Sequence, residues 1–165
     1  MEVLSRTDEK VKVTEGEINI TEKYMANGEV RKRVKYPGGT SFSLTKAADW
    51  KPEDGLPWQD AHCHKGLTEV YTLLSGIIVF IHRKDIKQSK FSMDWLNVPG
   101  QTIAFNPLNY HVVLLGPNAV ISTQLFGSGV PNSNRKNNDW WPADENFMKE
   151  AKDFGEFFLN KYRLL

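Results

Sequence analysis

Short runs of apolar and β-branched residues, punctuated by Gly, Pro and Asn, occupy the chain from about residue 30 to residue 126. Residues 30–36 and 40–45 read as strands about the turn sequence Pro37-Gly38-Gly39, and the polar stretch 46–59 with two prolines reads as a loop. Residues 68–74 and 77–82 are rich in β-branched and aromatic side chains. They are separated by Ser75-Gly76, which predicts a hairpin. Residues 101–105, 111–115 and 119–126 continue the pattern, so the expected fold is all-β, a sandwich or barrel.

The pattern then changes. Residues 128–139 are rich in Gly, Pro, Ser and Asn and predict a loop. Phe147, Ala151, Phe154 and Phe158 fall at helical spacing, which predicts an amphipathic α-helix over 144–162 with its Phe stripe packed on the outside of the barrel. Gly155 inside that stretch costs about 1 kcal/mol relative to Ala. The chain thus divides into an N-terminal extension 1–28, able to supply edge or swapped strands, a barrel 29–128, and a loop with a C-terminal helix 129–165.

Composition narrows the class without changing it. With 165 residues, 40% of them hydrophobic, the chain can bury a core without disulfides or a structural metal, so a metal site here would be functional. Lys and Arg number 21 against 20 Asp and Glu, which gives no reason to expect nucleic acid or an anionic membrane as partner. The single cysteine, Cys63, excludes an intramolecular disulfide. There is no apolar run of signal-peptide or membrane-spanning length, so the expected location is cytoplasmic.

Two of the four histidines stand in His62-Cys63-His64. On a strand, positions i and i+2 share a face, so both imidazoles can enter one cavity while Cys63 turns away as a small buried residue. Glu69 follows, and His111 opens a later strand after Asn106-Pro107-Leu108-Asn109. Three imidazoles and a carboxylate form a mixed N/O set suited to a divalent transition metal such as Fe, Mn, Ni, Zn or Cu. An octahedral ion held by four side chains keeps two positions for substrate, water or dioxygen.

The order His62-Cys63-His64, four residues, Glu69, six residues, Gly76 resembles the first cupin motif at every defining position. Gly100, Pro107 and His111 resemble the second motif in order, with one extra residue between Gly100 and Pro107. Asn109 stands where that motif has a Gly for a left-handed turn, and Leu115 where it has its final Asn. The resemblance implies a single cupin barrel of the jelly-roll, double-stranded β-helix type. It also implies one metal ion (Fe, Mn, Ni or Zn) on His62, His64, Glu69 and His111. Proteins it resembles include dioxygenases, oxalate-degrading enzymes, sugar isomerases and epimerases, sensing modules and storage proteins. Cupins often pair, so a homodimer through residues 1–28 is an expectation.

Strand alternation that turns Glu69 inward brings Tyr71 and Leu73 with it, and His111 brings Val113 and Leu115. Tyr71 is the candidate acid/base or hydrogen-bond donor, and Leu73 and Val113 are candidate substrate-lining residues. His82 reads as a rim histidine. Trp50, Trp58, Trp140 and Trp141, in loop-like segments, read as seals of the barrel ends or an oligomer contact. Lys65, Arg83 and Lys84 read as solvated charges before any role toward an acidic substrate. The sequence therefore points to a metal-dependent enzyme on a small molecule, either a sugar-like carbonyl isomerase or epimerase or a dioxygenase. The alternative is a non-catalytic binding or sensing module.

Overall fold

The computed structural model describes residues 18–36, 40–51, 55–85, 87, 90–130 and 139–162, the last by its backbone alone. Eleven strands and one helix lie among them: β1 (Asn19–Tyr24), β2 (Val30–Lys35), β3 (Ser41–Lys46), β4 (His62–Cys63), β5 (Leu67–Ser75), β6 (Ile78–Arg83), β7 (Ser92–Leu96), β8 (Thr102–Phe105), β9 (Tyr110–Leu115), β10 (Val120–Gly127), β11 (Trp141–Pro142) and α1 (Glu145–Tyr162). They form a six-stranded sheet, β1-β2-β3-β10-β5-β8, and a five-stranded sheet, β11-β4-β9-β6-β7, with every pairing antiparallel. This is the all-β cupin architecture with one C-terminal helix.

Alternation along the strands builds two cores rather than one. Tyr71, Leu73 and Ile121 from the first sheet meet Ile78, Phe80, Val113 and Leu115 from the second, so these residues fill the space between the sheets. The intervening residues Val79, Ile81, Val112 and Leu114 face the opposite way and pack against Phe147, Ala151 and Leu159 of α1, with Trp50 and Trp58. The second sheet is therefore covered on both faces, which explains why β6 and β9 are almost continuously apolar. The helix starts at an Asp144 cap whose Oδ1 accepts the Phe147 N–H at 2.7 Å. Its Phe stripe lies on the outside of the barrel, as its periodicity predicts.

Arg83 fixes the helix to the sheet. Its guanidinium bonds Glu150 at 2.8 Å and stacks 3.6 Å from the Phe91 ring centre. Lys65 lies 3.3 Å from the centre of the Trp141 ring. Trp50 and Trp58 are buried, and Trp50 Nε1 donates to the Leu115 carbonyl at 3.0 Å. These contacts give Trp50, Trp58 and Arg83 structural work.

Three expectations need correction. The hairpin across Ser75-Gly76 does not form, because β5 pairs with β10 and β8 while β6 pairs with β7 and β9. Ser75-Gly76 instead carries the chain from one sheet to the other, since β5 and β6 must bury their apolar faces against each other rather than side by side. Strand β7, Ser92–Leu96, was not expected, because its exposed residues break the apolar signal. The left-handed residue before His111 is Leu108 (φ 68°), not Asn109. Pro107 and Leu108 occupy the central positions of a turn closed by Asn109 N–H donating to the Asn106 carbonyl at 3.1 Å, and the positive φ at Leu108 gives it the type II form. Of the N-terminal extension, residues 1–17 lie outside the described residues, as does the turn 37–39. Asn19–Tyr24 forms the edge strand of the six-stranded sheet.

Gly76 has φ 77°, and a Cβ there would sit 2.7 Å from the Ala119 backbone. Both constraints act at the sheet crossover. Gly76→Ala should lower the unfolding free energy by about 2 kcal/mol in a urea titration; an unchanged midpoint would show that the crossover tolerates a side chain.

Candidate metal centre

Strand register gathers the histidines. His62 on β4 lies directly opposite His111 on β9, which lies opposite His82 on β6. Glu69 reaches them from β5 in the facing sheet. His62, His64 and Glu69 are buried, with their ligand atoms within 4.8 Å of one another, a group able to hold a metal ion. Three imidazole Nε2 atoms converge on one oxygen, Glu69 Oε2: His111 at 3.1 Å, His64 at 3.2 Å and His62 at 3.5 Å. An ion about 2.1 Å from each donor separates neighbouring donors by about 3.0 Å at right angles and about 3.4 Å at the tetrahedral angle. The three N–O spacings are of that size; the compact ligand group is His62, His64 and Glu69, and His111 adjoins it through Glu69.

The other nitrogen of each ring settles the proton inventory. His62 Nδ1 faces the Asp60 carbonyl at 3.0 Å, His111 Nδ1 the Asn109 carbonyl at 3.1 Å, and His64 Nδ1 the Asp139 carbonyl. A carbonyl only accepts, so each Nδ1 carries a proton, and a ring in its neutral form presents its lone pair at Nε2. Three imidazole nitrogens and a carboxylate then face one another around one point, with the Tyr71 hydroxyl 3.4 Å from His111 Nε2. Such a set is stable around a cation.

The electrostatics of these groups are coupled. Burial, reinforced by the neighbouring His111, pushes His62 down to about 4, against the pull of Glu69. Burial also disfavours a charged His64, but the hydrogen bond and charge of Glu69 outweigh it and raise its pKa. For Glu69 burial acts upward, and the three histidines together hold the carboxyl well below the usual range. Cys63 is buried on the opposite side of its strand, where burial raises its thiol pKa and Tyr110 is its hydrogen-bond partner.

Tyr71 is buried beside the centre, its hydroxyl 3.4 Å from His111 Nε2. Its ring packs edge-on against Phe80 at 5.0 Å, so the residue both fills the core and reaches the site. Burial and the Glu69 charge drive its pKa well above 10. The phenol is a proton holder. Leu73 and Val113 are completely enclosed in the inter-sheet core. Phe105 stacks on the His111 ring at 4.4 Å, and Trp140 on the His62 ring at 5.2 Å. His82 Nε2 pairs with Asp94 at 2.7 Å, and its ring lies edge-on to Phe105 at 5.3 Å.

Sequence reasoning missed Asp139, which lies at the end of a polar loop and carried no pattern. Its carboxylate accepts the Lys65 and Gly66 N–H groups at 2.9 and 2.8 Å and the Trp141 indole N–H at 3.0 Å, while its carbonyl takes His64 Nδ1. One residue thus clamps the segment after His64 and aims its ring. Leu108 N–H donates to the His64 carbonyl at 2.7 Å, tying the turn before His111 to the same segment.

Burial acts to raise the Asp139 pKa, but the Lys65 and Gly66 N–H groups outweigh it and lower the value. A depressed carboxyl stabilises the fold fully above its ordinary pKa and loses that contribution as pH falls through the folded value. Asp139→Asn should therefore flatten the decline in stability below about pH 4. Asp139→Ala should weaken binding of added Mn(II) by about 10- to 100-fold. Unchanged Mn(II) affinity in a calorimetric titration would remove the clamp from the account.

No family model matches the sequence, and no curated protein matches it. Solved structures match in three dimensions. The capsular polysaccharide assembling protein CapF from Staphylococcus aureus superposes with a TM-score of 0.56 at 12% identity, covering 76% of this chain and 32% of that one. Oxalate decarboxylase from Bacillus subtilis gives 0.52 at 13% identity, covering 77% and 32%. The chain spans about a third of the length of these structures. No helix among the described residues is long and apolar enough to cross a membrane. Two facing antiparallel sheets, the crossover at Gly76 and these superpositions agree: the chain has the cupin fold.

Proposed function

We propose that the protein is a metal-dependent enzyme acting on a small carbonyl compound, with one divalent transition metal on His62, His64, Glu69 and His111. The observation that carries this reading is the set of three imidazoles that each spend Nδ1–H on a backbone carbonyl and turn Nε2 toward Glu69. A bound ion would supply Lewis acidity, drawing electron density from a substrate carbonyl or carboxylate oxygen. Glu69 offsets part of the ion's charge. Trp140 and Phe105 cover two of the imidazoles and hold them in place.

Tyr71 supports isomerisation or epimerisation over oxygenation. Such reactions need a proton delivered beside the polarised oxygen, and Tyr71 keeps its proton at 3.4 Å from a ligand nitrogen. The second reading is dioxygenation, since an octahedral ion on these four side chains would keep positions for dioxygen. One solved structure of this fold bears the name of a decarboxylase and another that of a polysaccharide assembling protein, so small carboxylates and sugars both belong among the compounds to try.

Protein purified without added metal should contain about one transition metal per chain by elemental analysis, and His62→Ala below about a tenth of that. Equal occupancy in both would overturn the site. A sugar-phosphate isomerisation panel run beside oxygen uptake with small phenols, diketones and thiols separates the two reactions. Metal retention without turnover across both would leave the binding-module reading. On whichever substrate turns over, Tyr71→Phe should keep the metal and lower kcat by about 100-fold. An unchanged kcat would confine Tyr71 to packing.

A further inference from the structure

The inward face of β2 is basic. Antiparallel register sets Arg31 opposite Thr45, Arg33 opposite Ser43 and Lys35 opposite Ser41. Ser41, Ser43 and Thr45 are all buried, whereas Leu44 is exposed and Phe42 half-buried. The rows continue across β10 into β5: Ser43, Thr123 and Tyr71 form one, and Ser41, Leu125 and Glu69 the next. Directly opposed residues share a face, so Arg33 stands on the row of Tyr71. Ordinary strands send leucine inward and arginine out. Here the order is inverted.

The two arginines are anchored alike and partnered differently. Arg31 Nε donates to Thr45 Oγ1 at 3.1 Å and Arg33 Nε to Ser43 Oγ at 2.9 Å. Arg31 also has Glu29 at 3.8 Å, itself buried and held by Gln59 at 2.9 Å. Arg33 has no carboxylate at ion-pair distance among the described residues. Burial and the neighbouring Arg31 act against its charge, while Glu69 and Tyr71 act in favour of it.

We propose that Arg33, supported by Arg31, receives an anionic oxygen group of the ligand, a carboxylate or phosphoryl group, while the ligand's other end reaches His62, His64 and Glu69. Only that second contact rests on the metal reading. With Nε tied to Ser43, the outer edge of the Arg33 guanidinium keeps paired N–H groups for a two-pronged bond to an oxyanion. A half-buried cation without a counter-charge is costly, and an anionic ligand removes that cost. Charge balance runs the same way. A divalent ion with Glu69 leaves one positive charge, and Arg33 adds another. Arg33 and Tyr71 are three strand spacings apart, about 14 Å between Cα atoms along the sheet, a span the arginine side chain and a small ligand share. The substrate class is thus a small anionic compound with a second oxygen function.

The test titrates malonate, inorganic phosphate and neutral malonamide into Mn(II)-loaded and metal-stripped protein by calorimetry, for wild type and Arg33→Gln. Malonate or phosphate should bind wild type at least tenfold more tightly than the variant in both forms, with malonamide indifferent and Mn(II) content unchanged. Which anion binds more tightly tells carboxylate from phosphoryl. If the variant binds both anions as wild type does, or wild type binds neither, the inference is overturned. If wild type fails to hold Mn(II) but its stripped form still binds an anion through Arg33, the metal reading falls and this one stands. Should Arg33→Gln lose its far-ultraviolet dichroism, Arg33→Lys, which keeps the charge without the fork, replaces it, and at least a threefold loss is expected; no loss overturns the inference.

Discussion

Everything at the centre of this protein follows from three backbone carbonyls. Asp60, Asn109 and Asp139 each take the Nδ1 proton of a histidine, and so each turns a bare Nε2 toward Glu69. Three ring nitrogens lie within 3.5 Å of one Glu69 oxygen, a set that a shared cation would join. The fold supplies those carbonyls from three separate places: the loop before β4, the turn before β9 and the loop before β11. The crossover at Gly76, the left-handed Leu108 and the Asp139 clamp are what fix those places relative to one another.

The two cores divide the labour. The cluster between β6, β9 and α1 is dry and apolar and holds the second sheet rigid behind His62, His82 and His111. The space between the sheets changes character along its length, from Leu73, Ile78 and Leu115 at one end to Glu69, the histidines and the Arg33–Ser43 row at the other. A sheet that spends buried positions on serine, threonine and arginine forgoes hydrophobic stabilisation there. Such departures from local rules concentrate where a protein meets its ligand.

The grouping of His62, His64 and Glu69 was legible in the sequence because much of its constraint is local. His62 and His64 are two apart, so they share a side, and Glu69 follows at the spacing that resembles the first cupin motif. The helix was legible for the same reason, through Phe147, Ala151 and Phe154. What depends on distant partners was not. Ser75-Gly76 has hairpin composition, yet β5 and β6 enter different sheets because each must bury an apolar face against the other. Asp139 acts through a carbonyl and a carboxylate that reach residues 64–66, and no periodicity marks it. Arg31 and Arg33 alternate with Val30, Lys32 and Val34, and only the register with β3 tells which set faces in.

The central claim is that a metal ion belongs among His62, His64, Glu69 and His111. Anomalous diffraction from crystals of Mn(II)-loaded protein tests it most directly. The account predicts one strong difference peak about 2.1 Å from the three Nε2 atoms and a Glu69 carboxylate oxygen. A map with no peak at that point, or with the metal bound elsewhere on the chain, would contradict it.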